Sequence, residues 1–456
     1  MLIRGVGLRG AVAINTITMI GIGPLITIPL VLGALHGPLS LVGWIAGAVL
    51  ALCDGLVWAE LGSRYPGSGG TYGYLRAVFG PDKAGALLSF LFVWQTIVSV
   101  PLLQASGYIG FANYAGYLVP QLSANPAAQK MLAVGVGLVT LLALYRGITA
   151  VAKVGVVLAG IVLFTLACVI AASFAHFSAA HAFAFGSGDS FWGGLRAGFG
   201  PALIIAMYDY LGYGASNVIG DEVIAPQRTL PRAIVIAIGL VAAAYIALQT
   251  GVLGAIRWET IVPRADGSLP ALGQYVASAV VEQSFGVSAA VVVTLLILVT
   301  AFASGYGNLL GFSRIPFAAA TDGAFWPAFA HVHPRHRFPD VALLAIGFLA
   351  LPACFFSLDT AIAWLTAGIV IIQPIAQLAA LAALRLRGER APFRMWLYPV
   401  PALIALAGWV LVFLSSGKDA MTFGLASLAA ATAAFLVRAR LRAAWPFGGI
   451  EPRLPG

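Results

Sequence analysis

Met19-Ile20-Gly21-Ile22-Gly23-Pro24 and, nearly two hundred residues on, Tyr208-Asp209-Tyr210-Leu211-Gly212-Tyr213-Gly214 decide the fold of this chain. Each string interrupts a long apolar stretch. Glycine raises the cost of continuing a helix, and Pro24 lacks the N–H that would bond back one turn. Both stretches are therefore expected to split into half-helices. In a bilayer such a break is tolerated only where it lines a cavity or is buried in protein.

The bilayer itself follows from composition. Of 456 residues, 61% are hydrophobic and 9% charged, with a mean hydropathy of +0.96, which leaves too little polar surface to cover a soluble globule. A helix needs roughly 20 apolar residues to cross a hydrocarbon core. Stretches of that kind are read near 11–35, 39–62, 84–118, 130–146, 151–174, 197–222, 233–256, 288–318, 340–357, 360–384, 395–415 and 420–438, twelve transmembrane helices in an all-α membrane fold. The two breaks fall in the first and sixth spans, an odd number apart, so the broken helices cross in opposite directions. That is the order of a 5+5 inverted repeat, over about 8–174 and 192–386, with two helices appended at about 392–440, all in one domain spanning 1–456. Such repeats place a substrate site at the midplane between the broken helices.

With the N-terminus in the cytoplasm, about twenty of the 25 basic residues fall inside. Only Lys130, Arg196, Arg257, Arg264 and Lys418 fall outside, which by the positive-inside rule puts both termini in the cytoplasm of a multi-pass protein of the cell (inner) membrane. The net charge of +9 is spread over short loops instead of one patch, so no nucleic-acid partner is expected. Cys53, Cys168 and Cys354 lie far apart in apolar spans and offer no disulfide framework. The first span is too long, and lacks a small-residue cleavage site, for a signal peptide. His331, His333 and His336 share a loop with Arg335 and Arg337, a setting that favours a solvated loop over a metal site. There is no Walker string, nucleophile elbow or H-E-x-x-H, so neither ATP drive nor hydrolysis is supported, and no cofactor is expected.

The end of the second span reads Ala59-Glu60-Leu61-Gly62-Ser63-Arg64-Tyr65-Pro66-Gly67-Ser68-Gly69-Gly70-Thr71-Tyr72. It resembles the A-E-L-x-x-x-x-P-x-x-G-G-x-Y signature of the amino acid-polyamine-organocation transporters. Ser313-Arg314-Ile315-Pro316-Phe317-Ala318 with Asp322-Gly323, and Glu222-Val223 with Pro226, Arg228 and Pro231-Arg232-Ala233, are similar to the family's eighth- and sixth-span endings. Tyr145-Arg146-Gly147, Gly23-Pro24 and Asp54 resemble its polyamine-uptake branch. The resemblance implies a leucine-transporter-type 5+5 fold and a secondary transporter. Glu60 and Arg64, four apart, are placed to pair at the membrane edge.

In the family, free amides of the first break bind the substrate's α-carboxylate, which the resemblance carries onto Gly21, Ile22 and Gly23, with Ile20 beside them a further substrate-binding candidate. Half-helix N-termini favour anions on physical grounds as well. Pro24 supplies no donor, which weakens the case for a carboxylate. From the second break come Tyr208, Asp209, Tyr210, Gly212 and Gly214; the last stands where the family often has a polar or acidic residue. Asp209 is the most informative, because an ionisable group deep in a span is a functional site by default. It can carry a coupling proton or receive a substrate ammonium; the alternative is an Asp that caps the break or pairs with a tyrosine. Trp94 in the third span is a further substrate-binding candidate, with Gln95 and Asn308 nearby in the expected fold, and Ser304 a candidate for the coupling ion. Lys153 lies too close to the start of the fifth span to take the ion-replacing role of some family lysines.

Three functions remain in view. One is a secondary permease for amino acids or polyamines that works by alternating access and is proton-coupled, or its exchanger variant. The others are an uncoupled transport-like receptor or channel and an intramembrane enzyme using Asp54 with Asp209.

Overall fold

A computed structural model describes residues 4–67, 69–145, 148–185, 189–264, 268–336, 338–442 and 444–447. Ser68, Arg146, Gly147 and Arg337 of the strings above lie outside these residues, as does the side chain of Lys153. The described chain is helical, its only extended pairing an isolated bridge between Val6 and Val223.

The first apolar stretch forms α1 (Leu8–Met19) and α2 (Gly23–Leu35), which meet at 51°. Ile20 is extended and its N–H closes α1 on the Thr16 carbonyl. Pro24 falls in the first turn of α2, where its missing N–H costs nothing. The next helices are α3 (Ser40–Arg64), α4 (Thr71–Phe79), α5 (Ala84–Leu118), α6 (Pro126–Leu144) and α7 (Ile148–Ala175). Then comes α8 (Asp189–Tyr210), which stops at the second break: Gly212 has φ of 119°, a conformation open to glycine. A single turn at Ala215–Val218 follows.

Beyond it lie α9 (Pro226–Ala255), α10 (Val276–Phe312, kinked at Gly286), α11 (Arg314–Thr321) and α12 (Asp340–Ala353). The last four are α13 (Leu358–Val370), α14 (Ala376–Leu386), α15 (Val400–Ser415) and α16 (Lys418–Leu441). A wider, π-type turn around Pro374 joins α13 to α14. Every expected apolar stretch thus falls on a helix or a broken pair. By length and composition, eight helices among the described residues can cross a membrane, or nine with the bent α1–α2 pair counted as one span.

Packing gathers these helices around the breaks. α2 and α3 lie against α8, α1 and α3 against α9, and α10 against α5 and α7, while α13 covers α5. Lipid removes the hydrophobic drive between helices, so close approach depends on small residues. Gly43 and Gly47 of α3 face Ala202 and Ala206 of α8, and a Cβ added at Gly47 would stand 2.7 Å from that of Ala206.

The expected Glu60–Arg64 pair does not form. Glu60 is buried and takes the Arg385 guanidinium at 2.6 Å and the Met395 N–H at 2.7 Å. Arg64 points outward to Glu389 at 3.2 Å. Glu60 faces the protein interior, where α14 and the Met395 segment supply its donors, and Arg64 faces outward.

Candidate functional site between the two breaks

A cavity of about 350 Å3 opens where the two broken helices meet. Thr18 to Gly21 and Gly23 line one wall, with Tyr208, Asp209 and Leu211 to Ala215 opposite. α5 contributes Gln95, Thr96 and Ser99, and α10 contributes Ser304 and Asn308. Phe92, Val100, Leu103, Val162, Leu365 and Ile369 make much of the remaining surface apolar. Among the described residues, Asp209 and Arg314 are the only charged ones in the lining.

Two side chains tie the breaks to each other. Tyr245 of α9 turns its hydroxyl to the Met19 carbonyl at 2.8 Å and the Asp209 carbonyl at 3.2 Å, two acceptors at the ends of half-helices. Asn15 adds a second tie through the Ser216 N–H at 2.8 Å. Buried carbonyls freed by a helix end need such partners.

Asp209 lies in the last turn of α8 and is 2% exposed. Its Oδ2 accepts from the Thr27 hydroxyl at 2.5 Å, whereas Oδ1 has no hydrogen-bond partner among the described residues. That carboxylate lies against the first turn of α2. A Cβ at Gly23 would overlap Oδ1, so glycine is what lets the acid reach the positive end of the half-helix. A Cβ at Gly21 would likewise overlap the Ser304 hydroxyl, which brings α10 up to the first break. Tyr208 bonds Ser106 of α5 at 2.7 Å and closes the wall beside Asp209.

Ile20, Gly21, Gly23, Tyr208, Asp209, Gly212, Gly214 and Ser304 all line the cavity. Three candidates do not. Ile22 is buried, and Tyr210 packs on Trp44 and Tyr245 with its hydroxyl on the Trp44 carbonyl. Trp94 points to α16, donates to Ser427 at 3.2 Å and lines a separate void of about 10 Å3. Each step along a helix turns a side chain by about 100°, so Gln95 meets the cavity where Trp94 cannot. Trp58, Gln373 and, from within the second break, Tyr213 also line the cavity, and Thr27, one turn beyond Gly23, holds Asp209 from α2. Asp54 stands outside the lining, bonded to Tyr213 and Trp409, so it does not form a carboxylate pair with Asp209. In the histidine loop, His331 bonds Asp340 at 2.7 Å and His333 accepts two backbone N–H groups.

A family profile described as amino acid permease matches residues 7–436. The chain belongs to the amino acid permease family, whose members are transporters. An uncharacterised transporter of Mycobacterium tuberculosis is 29% identical over 439 residues, covering 95% of this chain and 91% of the relative. The serine/threonine exchanger of Bacillus subtilis is 27% identical over 410 residues, 86% of each chain. The b(0,+)-type amino acid transporter 1 of Mus musculus is 28% identical over 370 residues, 76% of this chain and 69% of its own. Membership of this family and its run of apolar helices make the chain a multi-pass membrane protein.

Proposed function

We propose that this permease moves an amino acid or a small amine across the cytoplasmic membrane by alternating access, with Asp209 receiving the substrate ammonium and serving as the coupling-proton site. The observation that carries the reading is the unpartnered Oδ1 of Asp209 between the two breaks. A buried anion with a free acceptor is a costly feature unless a cation or proton meets it. In this reading the Gly21 and Gly23 amides take a carboxylate where the substrate has one, within reach of an ammonium on Asp209. One carboxylate matches one ammonium. The second ammonium of a diamine would meet no further acid among the described lining residues, which favours amino acids over polyamines.

The twelve-helix, 5+5 arrangement belongs to the same reading. The three expected spans outside the nine are α8, which carries three charges, and the short apolar helices α12 and α15. Packing supports the repeat, because exchanging the halves maps contacts onto contacts. The pair α3–α9 maps onto itself, α1–α9 onto α8–α3, and α10–α7 onto α5–α13. With both termini in the cytoplasm, the lining that runs to Ile14, Val218 and Arg314 faces inward, and Tyr208–Ser106 lies on the closed side.

Purified protein in proteoliposomes tests the proposal. Accumulation of a labelled amino acid against its gradient when the lumen is alkaline is expected. Equilibration without accumulation would leave a passive pathway, and uptake only into preloaded vesicles would identify exchange.

A further inference from the structure

Asp54 is a second buried carboxylate, 1% exposed, that the cavity does not use. Two neutral donors close on it: the Tyr213 hydroxyl at 2.6 Å on Oδ2 and the Trp409 indole N–H at 3.2 Å on Oδ1. Trp58, one turn on, faces it without closing a hydrogen bond. Tyr213 belongs to the break after α8 and itself lines the cavity, while Trp409 sits on α15, beyond the expected repeats. One carboxylate therefore joins α3, the second break and a helix with no other role in the site.

No cation reaches Asp54 among the described residues, where the ion pairs are Arg64–Glu389, His331–Asp340 and Arg385–Glu60. Its titratable neighbours are Tyr213 and, on its own helix, Cys53. Neither α15 nor α2 carries a titratable side chain. α9 lays Ile234 and Ile238 on the adjacent Gly55, its Arg228 and Arg232 are exposed, and its Tyr245 is engaged at the breaks. α8 turns Asp209 toward Thr27 and Tyr210 toward Trp44, and the Arg385 of α14 is taken by Glu60. An ionised carboxylate held only by neutral donors at that depth is costly. The acid form has a use for its hydrogen.

We propose that Asp54 takes up and releases a proton during the transport cycle, and that this proton sets the second break by reversing the Asp54–Tyr213 hydrogen bond. With Asp54 ionised, Tyr213 donates to Oδ2. A proton arriving from the cavity binds Oδ2, and the new O–H donates to the Tyr213 oxygen. Tyr213 keeps its own hydrogen, which now requires another acceptor, and meeting that need turns the Leu211–Gly214 segment. Trp409 donates to Oδ1 in both states and holds the carboxyl in place. Asp54 is thus a positioning residue acting through Tyr213, and the inference goes beyond the ammonium site at Asp209.

The test needs no substrate. Difference infrared spectra of the purified full-length protein, recorded as pH is stepped, should contain a carboxylic C=O band that is lost in Asp54→Asn, displaced in Tyr213→Phe and retained in Asp209→Asn. Maleimide labelling of Leu211→Cys, with the three native cysteines replaced by alanine, should change rate over the same pH range and lose that dependence when Asp54→Asn is added. Should Asp54→Asn fail to fold, Trp409→Phe replaces it, and the band should move because Oδ1 has lost its donor. A band indifferent to these substitutions, or labelling whose pH dependence survives Asp54→Asn, overturns the proposal.

Discussion

Replacing Tyr245 by phenylalanine removes one hydroxyl and leaves the ring, which packs on Trp44 and Tyr210, in place. The hydroxyl has a single hydrogen to share between the Met19 carbonyl at 2.8 Å and the Asp209 carbonyl at 3.2 Å, so the shorter contact dominates. Tyr245 is 1% exposed, and water does not readily replace what it supplies. An unsatisfied buried acceptor costs about 1–3 kcal/mol, so Tyr245→Phe should destabilise the fold by about 2 kcal/mol, roughly thirtyfold in the unfolding equilibrium. Reversible unfolding in mixed micelles with increasing dodecyl sulfate measures this. Tyr210→Phe is the control, because its hydroxyl bond to the Trp44 carbonyl is long, at 3.3 Å. A Tyr245→Phe protein that unfolds with wild type, or loses no more than Tyr210→Phe, would refute the idea that this hydroxyl ties the breaks together.

Gly47→Ala should destabilise by about 1–3 kcal/mol through overpacking against Ala206 and Tyr210. Gly135→Ala on α6 meets nothing within 4 Å and should stabilise by up to about 1 kcal/mol through helix propensity; the same unfolding titration reads both signs. Glu60→Ala strands the Arg385 guanidinium and should cost about 3 kcal/mol, again by unfolding. Arg64→Ala breaks a solvent-exposed pair and should change stability by less than about 1 kcal/mol.

The helices and their breaks could be read from the chain because their signals are local. Apolar runs of the right length, Pro24 in a first turn and Gly212 at positive φ are all written within a few residues. Which residues face the cavity was harder to read, since one step round a helix separates Gln95 from Trp94 and Asp209 from Tyr210. Partners distant in sequence gave no signal at all. Tyr245 binds both breaks from α9, and Arg385 captures Glu60 across 325 positions, displacing a nearer cation that spacing alone had favoured. Depth in a span was enough to single out Asp209, but its contact with Thr27 and the space provided by Gly23 appear only when α2 is folded against α8.

The central claim is that Asp209 meets the substrate ammonium or the coupling proton, and uptake by wild type and Asp209→Asn in matched proteoliposomes across a pH series tests it most directly. A hydrogen bond to a charged group is worth about 1.5–3 kcal/mol, so the variant should lose at least about tenfold in apparent affinity and show a pH dependence of uptake that differs from wild type. Equal uptake by the two proteins at every pH would contradict the account.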